Sequence, residues 1–224
     1  MNNNLEVIVR EPQQQADACV IWLHGLGADG HDFASIVEQL GLPSSHRIRF
    51  IFPHAPLRPI TLNGGMVMRG WYDIYGIGVE YDEDEQGIRE AELQINSLIE
   101  SQIEQGIAAD RILLVGFSQG GAIALHTGLR AQTALAGILA LSTYLPLRET
   151  LTDELHREQH NIPIVFMHGK NDMVVPMALA QLSYQLLDQQ SLQLKWHEYS
   201  MEHSVCLQQL QDIGDFIKKC MDLG

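Results

Sequence analysis

Five short stretches of the chain are almost continuously apolar: Val20 to Leu23, Ile48 to Phe52, Ile112 to Gly116, Ala136 to Leu141 and Ile164 to Met167. Runs of that length without alternation suit strands buried on both faces. Leu192 to Tyr199 alternates polar and apolar positions, which predicts a strand nearer an edge, and Leu5 to Val9 predicts an antiparallel edge strand at the start. Between these runs the period lengthens. Ile88, Ala91, Ile95, Leu98, Ile99 and Ile103 fall on one helical face, as do Cys206, Leu210, Ile213, Ile217 and Cys220. A helix is also predicted near Phe33 to Leu40. Another opens at Pro176, a residue suited to a first helical turn, with Leu179, Leu182 and Leu186 turned inward. Strand and helix alternating in this way imply an α/β fold, a mostly parallel central sheet with helices on both faces.

The segment from His54 to Asp82 breaks the rhythm. It carries Pro56, Pro59, Asn63-Gly64-Gly65 and Gly70, and reads as a long connection. Connections of that length in compact proteins are often functional. The acidic run from Glu80 to Glu85 lacks calcium-loop spacing and reads as a solvated face before a helix. No repeat, linker or low-complexity stretch interrupts residues 1–224, which are expected to form one domain.

Composition narrows the partners. Twenty-eight acidic against fourteen basic residues give a formal charge of −14. Such a surface repels nucleic acid and anionic headgroups, so membrane contact is expected to be transient at most. The first residues lack a basic and then apolar leader, and no run approaches a membrane span. Three cysteines, Cys19, Cys206 and Cys220, sit among apolar residues and read as free thiols in a reducing, cytoplasmic setting.

Candidate chemistry begins at Gly116-Phe117-Ser118-Gln119-Gly120, which fits G-x-S-x-G. The pentapeptide alone is a weak signal. Its position, after the strand ending at Val115 and before the helical run from Gly121 to Leu129, is the strand–turn–helix setting of the nucleophile elbow in the α/β-hydrolase fold. A serine nucleophile needs a base and an orienting acid, which in that fold follow it in the order acid, then histidine. His203, directly after the last strand, is the base selected. His126, His156, His160, His168 and His197 lie on helices, inside a strand or too early. Asp172, just past the strand ending at Met167, is the acid selected, while the other later carboxylates sit on helices or crowd the histidine. The oxyanion donors expected are the Gln119 N–H and, from His24-Gly25-Leu26-Gly27, the Leu26 N–H.

The same loop also fits G-x-G-x-x-G from Gly25 to Gly30, the dinucleotide pattern. No acidic residue occurs between Glu38 and Asp73 to hold a ribose, which argues against it. No H-E-x-x-H or C-x-x-C spacing suggests a metal, and no cofactor is expected.

Taken together, Leu23 to Gly27, Phe52-Pro53-His54-Ala55-Pro56, Gly70-Trp71-Tyr72-Asp73, Gly116 to Gly121, Leu141-Ser142 with Leu145-Pro146, and His168-Gly169 with Asp172 and Val175-Pro176 resemble the phospholipase/carboxylesterase family, which includes acyl-protein thioesterases. The resemblance implies a triad of Ser118, Asp172 and His203 and an oxyanion hole from Leu26 and Gln119. It also implies an acyl groove in which Leu62, Met66, Met68, Trp71, Tyr144 and Val175 take part. Tyr144 stands where eukaryotic thioesterases often carry tryptophan. The expected activity is hydrolysis of carboxylic esters or thioesters at an open site without a lid domain, on a small acyl ester, a lysophospholipid or an acylated protein. A lysophospholipase and an inactive binding protein of the same fold are the alternatives, and the composition leaves monomer and homodimer both open.

Overall fold

The computed structural model describes residues 5–78 and 82–223. The N-terminal leader reading at Met1 to Asn4, and Glu80 of the acidic run, lie outside the described residues. Seven strands form one sheet: β1 (Val7–Arg10), β2 (Ala18–Leu23), β3 (Ile48–Pro53), β6 (Ile112–Phe117), β7 (Gly137–Leu141), β8 (Pro163–Gly169) and β9 (Gln193–Tyr199). Their spatial order is β1-β3-β2-β6-β7-β8-β9. Only β1 runs antiparallel, with Ile8 opposite Phe52. The other pairs are parallel. Both strands expected near an edge are edge strands.

The near-continuous apolar runs serve two cores at once, because successive side chains point to opposite faces. In β2, Cys19, Ile21 and Leu23 enter one core. Ala18, Val20 and Trp22 enter the other. The first core is roofed by α2 (Glu85–Glu104), α3 (Gln119–Arg130) and α5 (Met177–Asp188), the second by α1 (His31–Ala34) and α6 (Leu207–Cys220). Each fully buried aliphatic side chain contributes roughly 1.5–3 kcal/mol of transfer free energy. Cys19 is completely buried at the sheet centre, and burial pushes its thiol pKa up to about 12.

Several helical expectations are corrected. The α5 stripe is offset: Ala180, Ser183 and Leu187 are buried, whereas Leu182 is 40% exposed and Leu179 and Leu186 are half-buried. Leucine spacing had suggested a different face, because Leu179 and Leu182 line a cleft instead of the core. On α2, Ile103 near the C-terminus is exposed. Phe33 to Leu40 divides into α1 and a 3-10 turn, Ile36–Gln39. The long connection is not structureless either. It contains a hairpin of β4 (Leu57–Ile60) and β5 (Met66–Arg69), with Ile60 opposite Met66. Gly64 (φ 65°) and Gly65 (φ 81°) supply the left-handed turn conformations. No described helix is long and apolar enough to cross a membrane.

Candidate active site

Parallel strands deliver their carboxyl ends to one rim of the sheet, and Ser118, Asp172, His203 and the His24–Gly27 loop all leave it there. Ser118 links β6 directly to α3 with φ 54° and ψ −123°. A non-glycine residue held there costs on the order of 1–3 kcal/mol. Neighbouring contacts impose it: the Ser118 N–H donates to Leu141 O at 2.9 Å, and Thr143 Oγ1 donates to Ser118 O at 2.7 Å. The turn also requires glycine at 120, where a Cβ would sit 2.5 Å from the carbonyl oxygens of Leu23 and His24.

Ser118 Oγ lies 2.9 Å from His203 Nε2, and His203 Nδ1 lies 2.7 Å from Asp172 Oδ2. The acid is held as firmly as the serine. Asp172 Oδ1 accepts the N–H groups of Val174 (2.9 Å) and Val175 (2.8 Å), which leaves Oδ2 for the imidazole. His168, buried one turn before, reaches Val175 O with Nε2 at 2.9 Å and steadies the far side of that loop. Phe117 packs its ring 4.7 Å from that of His203. The Asp172 side chain is fully buried while His203 keeps 16% exposure, so the histidine faces the solvent-accessible mouth.

Two of the other histidines after Ser118 are otherwise engaged. His126 pairs with Glu92 on α2 at 3.0 Å, and burial lowers its pKa. His168 is lowered by burial too.

The expected oxyanion donors lie in the loop after β2, for Leu26, and at the first residue of α3, for Gln119. Among the described residues no group of the protein accepts from the Leu26 or Gln119 backbone N–H. The side chain of Gln119 is buried and its Oε1 accepts from Trp71 N at 2.8 Å. Trp71 Nε1 donates to His24 O at 2.9 Å. His24 is buried in turn. Its Nε2 accepts from Ala55 N at 3.0 Å and its Nδ1 donates to Gly25 O at 2.7 Å. Burial lowers its pKa to about 4. Sequence reasoning passed over His24 because nothing in a motif reveals a partner on a distant loop.

Of the expected groove residues, Leu62 and Met66 are exposed on the hairpin and Met68 is half-buried beside Gly27. Trp71 has no exposed surface and Val175 is 3% exposed. Trp71 therefore braces the His24–Gly27 loop rather than lining an open groove, and Val175 lends its backbone to Asp172. Tyr144 is half-buried, with its hydroxyl 3.0 Å from that of Tyr72, and burial raises its pKa to about 12. An apolar cleft of about 400 Å³, lined by Ile77, Pro176, Leu179 and Leu182, opens beside the acid loop. The offset of α5 is what turns Leu179 and Leu182 toward it. A cleft of about 280 Å³ between β1 and α2 shares no residue with these loops.

Asp29, His31 and His54 bring ligand-type atoms within 4.8 Å of one another, a cluster that linear spacing could not reveal. Hydrogen bonds account for it: Asp29 Oδ1 contacts His31 Nδ1 at 3.0 Å, and His54 Nδ1 accepts from Gly30 N.

Comparison with known proteins gives one consistent family and fold. A family model described as phospholipase/carboxylesterase matches residues 3–221. Acyl-protein thioesterase 1 of Neurospora crassa is 43% identical over 209 residues, 89% of this chain and 85% of that protein. Acyl-protein thioesterase 1 of Gibberella zeae is 39% identical over 214 residues, 92% of this chain and 91% of that one. Among solved structures, Arabidopsis thaliana SOBER1 superposes with a TM-score of 0.87 at 28% identity, covering 91% of this chain and 99% of its own. Zea mays acyl-protein thioesterase 2 gives 0.86 at 25% identity, covering 96% and 99%.

Proposed function

Since the chain belongs to the phospholipase/carboxylesterase family, we propose that it hydrolyses carboxylic esters and thioesters through Ser118, His203 and Asp172. The observation that carries the reading is the unbroken run of contacts from Ser118 Oγ through His203 to Asp172, at 2.9 and 2.7 Å. Those lengths are short enough for proton transfer along the first and orientation along the second.

His203 Nε2 takes the Ser118 proton as Oγ bonds to the acyl carbon. The negative charge that forms on the carbonyl oxygen is met by the N–H groups of Leu26 and Gln119 and by the N-terminal end of α3. Collapse of this intermediate breaks the bond to the leaving oxygen or sulfur, which receives the proton from Nε2. A water then attacks the acyl-enzyme, His203 takes its proton, and the carboxylic acid departs with Ser118 restored. Asp172, buried and held by the Val174 and Val175 N–H groups, orients the imidazole and favours the imidazolium that appears twice in the cycle.

The acyl chain is assigned to the cleft of Ile77, Pro176, Leu179 and Leu182, with Leu62, Met66, Met68 and Tyr144 proposed as further acyl contacts. Because Tyr72 occupies the Tyr144 hydroxyl, that ring offers an apolar face to the chain. Acylated proteins fit as substrates in view of the thioesterase relatives, and the exposed Met66 and Met173 would border their approach. The three unpaired cysteines favour a cytoplasmic setting for this activity.

Ser118→Ala should abolish turnover of p-nitrophenyl butyrate and of a matched butyryl thioester, together with covalent labelling by a fluorophosphonate probe. Undiminished labelling of that variant would remove Ser118 from the mechanism.

A further inference from the structure

Both oxyanion donors are anchored to one residue that touches neither substrate nor nucleophile. Trp71 is wholly buried. Its backbone N–H is held at 2.8 Å by the side-chain oxygen of Gln119, the residue whose own N–H is one donor. Its indole N–H holds His24 O at 2.9 Å, two residues before the N–H of Leu26, the other donor. Gln119 Nε2 closes the circuit on Tyr72 O at 2.7 Å. The His24 and Trp71 rings lie 5.3 Å apart. The loop is fixed beyond the donor as well, since the Gly27 N–H donates to Arg69 O at 2.8 Å.

From this geometry we infer that the side chains of Trp71 and Gln119 are positioning residues that set the gap between the Leu26 and Gln119 N–H groups. The inference rests on the catalytic reading above. Donors in an oxyanion hole work only if they already point at the place where charge develops, since reorienting them during reaction costs what they would otherwise contribute. Gly25 and Gly27 leave the backbone of this loop free to rotate, and the buried His24 ring restrains it only through Gly25 O and Ala55 N. The indole N–H adds the restraint on His24 O. The Gln119 amide does the same for the elbow and ties it to the same tryptophan, so a displacement of either donor must drag Trp71 through packed surroundings.

Two variants test this. Trp71→Phe keeps the ring and removes the indole N–H; Gln119→Met keeps the length and the backbone donor and removes both side-chain bonds. Each should lower kcat for p-nitrophenyl butyrate roughly tenfold to a hundredfold, less than the hundredfold to thousandfold that follows outright removal of an oxyanion donor. KM should stay within about twofold, the mark of an interaction used in the transition state alone. The affinity for a trifluoromethyl ketone, whose adduct with Ser118 carries an oxyanion, should fall in step with kcat/KM, while binding of the product carboxylate stays level. The double variant should lose less than the product of the two single losses, because both act through one bridge. An unchanged kcat would overturn the inference. So would a loss that matches the fraction of molecules no longer titrated by a fluorophosphonate, since that is mere unfolding. Ser118→Ala is the control: turnover persisting there defeats the catalytic reading, whereas a dead Ser118→Ala beside a fully active Trp71→Phe defeats only this inference.

Discussion

At the scale of single residues, His24 carries a consequence for stability. Its imidazole is buried, and both ring nitrogens are committed to the backbone in the neutral form. Desolvation lowers its pKa from 6.5 to about 4 in the folded protein. The unfolded chain therefore binds the proton first as pH falls. Stability is complete above pH 6.5 and is lost progressively between 6.5 and about 4. The full loss is on the order of 3 kcal/mol for a shift of that size. His126 and His168, lowered by burial in the same direction, add to it. The urea midpoint should thus drop steadily from pH 7 to pH 4.5, and a midpoint flat over that interval would contradict the assignment of His24 as buried and neutral. Ser118, Asp172 and His203 were legible in the sequence because chain order and strand ends constrain them. His24 and Trp71 were not, because their partners sit on loops 31 and 47 residues away.

Among the elements, a tight constraint beside the site is the seat of α3 against β2. Gly120 brings the first turn of the helix so close that a Cβ would meet the carbonyl oxygens of Leu23 and His24 at 2.5 Å. Backbone atoms cannot move aside as a side-chain tip can, so Gly120→Ala should push the helix away from the oxyanion loop. Overpacking of this kind costs roughly 1–3 kcal/mol. Activity should fall much further than that stability loss explains, as read by kcat per fluorophosphonate-titrated site, because the Gln119 N–H moves with the helix. If kcat per site were unchanged, the helix would not be setting the donor. The strands around this joint were readable because each is buried on two faces and shows it as an apolar run. The hairpin of β4 and β5 was less so. Several of its residues are exposed, including Leu57, Met66 and Val67, and Pro59 interrupts the pattern, so the segment read only as part of a long connection. The face of α5 was misjudged for a related reason: leucine spacing marks where apolar bulk lies, and here some of that bulk faces a cleft instead of the core.

Over the whole molecule, architecture followed from alternation alone, whereas electrostatics adds something the fold does not contain. A formal charge of −14 surrounds a site whose own reacting groups are polar but few. Long-range repulsion should slow the approach of anionic esters and favour cationic ones, and salt should erase the difference. The ratio of kcat/KM for a cationic to an anionic soluble butyrate ester should therefore exceed one at about 10 mM salt and fall toward one near 0.5 M, where the screening length is only a few ångströms. A ratio insensitive to salt would mean that selectivity comes from contacts at the cleft.

The burial of Cys19 at the sheet centre equips the protein with an internal clock. Its backbone lies between β3 and β6 and its thiol points into the first core, completely shielded and with its pKa raised to about 12 by burial. An alkylating reagent can reach that sulfur only when that core opens. Cys206 and Cys220, both half-buried on or beside α6, sit instead where local fraying of one helix is enough. Peptide-resolved alkylation would thus time two different events in one unlabelled sample, the opening of the last helix and the opening of the first core.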